Sequence, residues 1–202
     1  MRRGGPTKLG LGLIVVIVLA LVITGVVWAG KKLSGSSSQK TAAAAQSAGV
    51  KALTNVDKNS GLQMLVRGRI TAAENQRSYS ILITPSSRTL TIFRGYDGDT
   101  LKSETLTNTT AAYTQLSFAL NRVGMMNERQ MPDAKKDLRG ICAGGKLYQF
   151  QTLNSDKTVE SLFITSCDAK YGTFAGNLTG VRNLFLRQIP DAEDLLDGLN
   201  LL

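Results

Sequence analysis

From Leu9 to Ala29 the chain runs for 21 residues without a charge, bounded by Arg2, Arg3 and Lys8 before and by Lys31 and Lys32 after. A helix of that length rises about 1.5 Å per residue, which matches a hydrocarbon layer of about 30 Å. The pattern predicts one transmembrane helix over 9–29 behind a short tail, residues 1–8. A cleavable export signal ending at Val27-Trp28-Ala29 is the competing reading. Signal cores run only about 7 to 15 residues, and Trp28 followed by two lysines suits a membrane interface, so the uncleaved anchor is preferred.

After Gly30 the pattern loses its apolar positions. Ser34-Gly35-Ser36-Ser37-Ser38 opens a stretch of Ser, Gly, Ala, Lys and Gln that reaches about Ser60. Such composition buries too little apolar surface to offset ordering entropy, so 30–60 reads as a flexible linker, with the alanines between Thr41 and Ala48 favouring some helix. Its roughly 30 residues would reach on the order of 30 Å.

Residues 61–202 show the periodicities of one folded domain. Arg67 to Ile70 reads as the end of a first strand. Tyr79 to Thr84 and Arg88 to Phe93 are β-rich runs around Pro85-Ser86-Ser87, which predicts a hairpin. Asp97-Gly98 turns the chain into a polar strand, Thr100 to Leu106, whose Lys102 and Glu104 suit a sheet edge. Tyr113, Leu116, Leu120 and Val123 share a helical face, with Asn108 to Thr110 as cap candidates and Gly124 as the stop. A second hairpin, Lys146 to Leu153 and Val159 to Ser166, turns at Asn154 to Lys157. A second helix follows, with Val181, Leu184, Phe185 and Ile189 inward and Pro190 as its end.

Tyr79 and Tyr148, Asn108 and Asn177, Thr110 and Thr179, Leu116 and Phe185, and Leu120 and Ile189 all lie 69 positions apart. That offset suggests a hairpin-then-helix unit used twice. The predicted class is α+β: an antiparallel sheet with two helices on one face, preceded by a transmembrane helix.

Charge changes the picture less than the net +9 suggests. Residues 1–49 hold six cations and no acid, whereas from residue 50 onward 18 Lys/Arg face 15 Asp/Glu, a net of +3. The excess sits beside the anchor, where cations suit anionic head groups. Lys135, Lys136 and Arg139 are interrupted by Asp137 and lack neighbouring aromatics, so a solvated face is preferred to a phosphate track and nucleic acid is not an expected partner. Lys and Arg near the two ends of the anchor balance, three against three, which leaves its orientation open on charge alone.

The cysteines decide it. Cys142 and Cys167 flank the second hairpin symmetrically about its turn, and residues equidistant from an antiparallel turn stand close enough to bridge. A structural disulfide is preferred over two free thiols; a redox pair would show close C-x-x-C spacing. A bridge belongs outside the reducing cytosol. The expected arrangement is therefore a plasma-membrane, single-pass protein, with its N-terminus cytoplasmic and its C-terminal domain outside.

The chain holds no histidine, which removes Ser-His-Asp and Cys-His catalysis and histidine-dependent zinc. We expect no catalytic constellation, metal site or cofactor. Asp97-Gly98-Asp99 reads as a turn rather than a cation site, and Asn108-Thr109-Thr110 and Asn177-Leu178-Thr179 read as helix caps rather than glycosylation acceptors. Met125, Met126 and Met131 are read as core packing beneath a long connection, with an adaptable apolar contact as the alternative.

At Arg77-Ser78-Tyr79, Leu147-Tyr148-Gln149-Phe150, Thr165-Ser166-Cys167, Gly172-Thr173-Phe174-Ala175-Gly176 and Leu184-Phe185 to Ile189-Pro190-Asp191, the chain resembles uncharacterised single-pass membrane-anchored proteins of Saccharibacteria-type bacteria, over residues 77–191. The resemblance implies a bacterial envelope setting and carries no activity. The expected function is a non-enzymatic, tethered extracytoplasmic binding or scaffold domain that contacts the bilayer through 9–29 and meets a protein or envelope partner. Two alternatives stand beside it: an inhibitor or regulator of a secreted peptidase acting through the edge strand Thr100 to Leu106, and an enzyme of unknown type that works without histidine.

Overall fold

The computed structural model describes residues 48–132, 137–199 and 201. The expected tail 1–8, the span 9–29 and the linker up to residue 47 lie outside the described residues, as do Lys135 and Lys136. Among the described residues no helix is long and apolar enough to cross a membrane.

Six strands form one sheet: β1 (Ser60–Arg67), β2 (Arg77–Ile83), β3 (Ser87–Arg94), β4 (Asp99–Thr107), β5 (Leu147–Asn154) and β6 (Lys157–Thr165). Their order is β4-β3-β2-β1-β5-β6 and each neighbouring pair is antiparallel. Helix α1 (Thr110–Arg122) follows β4, and α2 (Leu178–Leu186) and α3 (Ala192–Asp197) follow β6. The expected α+β architecture of antiparallel sheet and helices is present.

Alternation along the strands decides which face the helices cover. Ile92, Tyr79, Val66, Tyr148 and Ile164 stand opposite one another across five strands, and all five are buried. Tyr113, Leu116 and Leu120 of α1 and Val181 and Phe185 of α2 join them in a single core. Both expected hairpins form. Ser155 and Asp156 supply the two positive φ angles, 48° and 65°, that a two-residue turn needs. Thr109 caps α1 by accepting from the Ala112 N–H, and Asn177 caps α2 by accepting from Gly180.

The structure departs from the sequence reading at several places. β1 ends at Arg67, not at Ile70: the Gly68 N–H still continues the pairing with β2, to the Arg77 carbonyl at 3.0 Å, but the Ile70 N–H goes to Ala143 at 2.8 Å, out of register with β5. The folded part begins before residue 61. Residues 48–54 are helical, Leu53 is 0% exposed, and the Ser117 hydroxyl of α1 donates to the Leu53 carbonyl. Leu184 is only partly buried and Leu186 is buried in its place. α2 stops at Leu186, ahead of Pro190. The Asn108 amide donates to the Thr84 carbonyl at 2.7 Å, leaving the cap to Thr109. Met125 and Met126 are core, whereas Met131 is partly exposed.

A hairpin followed by a helix does occur twice, and Tyr79 and Tyr148 do flank the same residue, Val66. Yet β2 and β5 run in the same direction on opposite sides of β1, with β3 and β6 outward of them. With both helices on one face, the two units are mirror-related in layout. No rotation superposes mirror-related arrangements, so the offset of 69 is not expressed as a symmetric pair.

Candidate functional site

The face away from the helices is lined by hydroxyls and amides. Thr89 and Thr105 meet at 3.1 Å, Thr91 and Ser103 at 3.3 Å, and the Gln151 amide donates to Ser161 at 3.2 Å. Tracing the alternation through each register places Leu65, Arg67, Ser78, Phe93, Leu147 and Gln149 on the same face. The strands bring it one formal charge, Arg67.

At one end this face becomes a cleft of about 610 Å³. Leu65, Arg67, Ser78, Phe93 and Leu147 form its floor, Ile70, Gln76 and Tyr96 one end, and Leu138 to Ile141 a wall. Tyr96 straps two loops together, donating its hydroxyl to the Thr71 carbonyl at 2.7 Å and accepting from the Thr71 N–H at 3.2 Å. Size and lining match those of small-ligand sites, which are concave, mostly apolar and carry few polar groups.

The predicted cysteine pair bears directly on that wall. Cys142 and Cys167 are bridged, with Cα atoms 5.5 Å apart. The geometry differs from a bridge across directly opposed strand positions. The ladder pairs Leu147 with Thr165, and the Ser166 N–H reaches the Lys146 carbonyl, so Gly145 continues the strand towards Cys167. Cys142 returns to meet its partner through a turn closed by Gly145 N–H to Cys142 carbonyl at 3.0 Å. Glycine is required there: a Cβ on Gly145 would stand 2.6 Å from Cys142 Sγ and 3.0 Å from Cys167 Sγ. Because Ile141 precedes Cys142, the bridge pins the cleft wall to the end of β6.

Two arginines line the cleft, and their electrostatics differ. Arg139 is held by Asp137 through Nη2 to Oδ2 at 2.6 Å and Nε to Oδ1 at 3.0 Å. These hydrogen bonds pull the Asp137 carboxyl down to about 2. Arg67 is half-buried, and its Nη2 donates to the neutral Oε1 of Gln149 at 2.7 Å. Burial lowers the Arg67 pKa from its ordinary value, because desolvation disfavours the charged form. Among the described residues no carboxylate forms an ion pair with Arg67.

Asp97 and Gly98 form the expected turn, with Gly98 at φ 81°, and Asp99 opens β4. No group of three His, Cys, Asp or Glu that could hold a metal ion occurs among the described residues. The cleft offers apolar contact, a few hydrogen bonds and two arginines, of which Arg67 has no ion-pair partner among the described residues. The sequence reading missed it, because its floor and wall come from residues as distant as 65 and 141. No protein family matches the chain, and no curated protein matches it.

Proposed function

We propose that this chain is a membrane-tethered, extracytoplasmic binding domain whose ligand seat is the cleft between the open sheet face and Leu138 to Ile141. One observation carries the reading: a half-buried cation, Arg67, on the floor of an apolar cleft of about 610 Å³. Partial desolvation of an unpaired charge is costly, and a ligand that completes its hydrogen bonding recovers that cost. The disulfide supports the same reading, since it preorganises the wall. Anchor and bridge together favour a single-pass protein of a bacterial envelope, with this domain outside.

A photo-crosslinking amino acid at Ile141 in the full chain, in its native membrane, tests the proposal. Adducts that are absent with the same probe at Val159, an exposed position on β6, are expected. Identical labelling from both positions would sink it.

A second reading, regulation of a secreted peptidase, draws on β4. This nine-residue strand ends the sheet, so its outer backbone groups are open to an added strand. Inhibition of an envelope peptidase that is abolished by Ser103→Pro would support it.

A further inference from the structure

The charges of the cleft point to one ligand chemistry, an inference that rests on the cleft being the ligand seat. Among the described residues that line it, Arg67 and Arg139 alone carry charge. Arg139 is neutralised on the spot by the two-pronged contact with Asp137. Arg67 has given one donor to Gln149, and a guanidinium carries five N–H groups in a planar fork that matches a carboxylate. Its apolar neighbours Leu65, Phe93 and Leu147 leave it half-buried, and charge-assisted bonds strengthen as a ligand displaces water there.

We propose that the cleft takes an amphiphilic monocarboxylate, with its acid group on Arg67 and its apolar body on Leu65, Phe93 and Ile141. A single negative charge balances the one cation that has no ion-pair partner among the described lining residues. A phosphate dianion would leave an excess charge among apolar walls, and a neutral amphiphile would leave Arg67 unpaired. Two sources share this chemistry, a short alkanoic acid and the C-terminus of an apolar peptide, and the experiment separates them.

The test uses the full chain in lipid nanodiscs, titrated calorimetrically against empty nanodiscs with octanoate, octan-1-ol, and acetyl-Leu-Phe-Leu as free acid and as amide. At least one acid should bind about tenfold tighter than its neutral counterpart, the worth of one charge-assisted pair. Arg67→Gln should erase that preference, so that an acid and its neutral counterpart bind alike. Ile141→Glu, on the wall, provides an independent variant: its carboxylate should compete for Arg67 and weaken acids selectively. Equal binding of acid and neutral forms, or a preference that survives Arg67→Gln, would overturn the carboxylate assignment while leaving the cleft as a binding seat. Absence of binding by all four ligands would overturn this assignment and, if the Ile141 crosslinks also failed, the cleft itself.

Discussion

Arg67 of β1 donates through Nη2 to Oε1 of Gln149 on β5, at 2.7 Å, a diagonal contact two residues off the direct pairing of Arg67 with Leu147 and of Leu65 with Gln149. The bond holds the guanidinium against the sheet, aimed along the cleft floor. Gln149→Ala should release it. A hydrogen bond to a charged group is worth about 1.5 to 3 kcal/mol when buried, and Arg67 is half-exposed, so about 1 kcal/mol of stability should be lost. Urea unfolding measures this, and an unchanged midpoint would show that the bond is not maintained in solution.

Gly145 tests the bridge. Gly145→Ala would press a methyl group against both sulfurs and Ser166, at an expected cost of about 1 to 3 kcal/mol from overpacking. Removing the bridge by Cys142→Ser with Cys167→Ser opens a loop of sequence separation 25, worth about 3 to 4 kcal/mol in the chain-entropy model. In that background the alanine should cost less, its contact with Ser166 alone remaining. A double-mutant cycle with additive effects would contradict the close approach.

Leu53 marks where the folded part begins. It is fully buried and belongs to the core, so Leu53→Ala should lose about 2 to 5 kcal/mol. If the segment were only a spacer, thermal melting of this variant would match that of the unaltered chain.

Thr152 is 0% exposed, and its hydroxyl meets no hydrogen-bond partner among the described residues. Thr152→Val keeps the shape and removes the unpaired group, which should stabilise by up to about 1 to 2 kcal/mol. A destabilised variant in chemical denaturation would reveal a partner for that oxygen.

Asp137 offers a test by pH. Its folded pKa, about 2, lies below the ordinary value of about 3.9. Any stability it contributes is therefore present above the ordinary value and lost as pH falls through the folded one. Carboxyl carbon NMR should show a midpoint near 2, rising to the ordinary range in Arg139→Gln. An unshifted midpoint in the unaltered chain would free Arg139 and weaken the assignment of Arg67 as the cleft's one available cation.

Legibility in the sequence followed the range of the interactions. Pro85-Ser86 and Ser155-Asp156 turn the chain within two residues, so both hairpins could be read locally. α1 was legible from Tyr113, Leu116 and Leu120 because one helical face repeats within four positions. β1 was read only at its end. Its Ser60-Gly61 start continues the composition of the linker, and its central place depends on β2 and β5, which are separated from each other by more than sixty positions. α3 was missed because six residues carrying Glu193, Asp194 and Asp197 give too short a period to recognise. The cysteine pairing was inferred correctly from symmetry about the turn, while the three-residue detour through Gly145 was not.

Taken alone, the order of residues determined which segments turn, alternate or coil, where the long uncharged stretch lies, and which two sulfurs could meet. Those properties depend on neighbours a few bonds away. Tertiary structure decided that β1 sits between two hairpins in mirrored order, that Leu53 belongs to the core, and that Arg67 faces a cleft walled by Ile141. Each of these requires groups far apart in the chain to share one place, and the packing of side chains across the sheet brings them together.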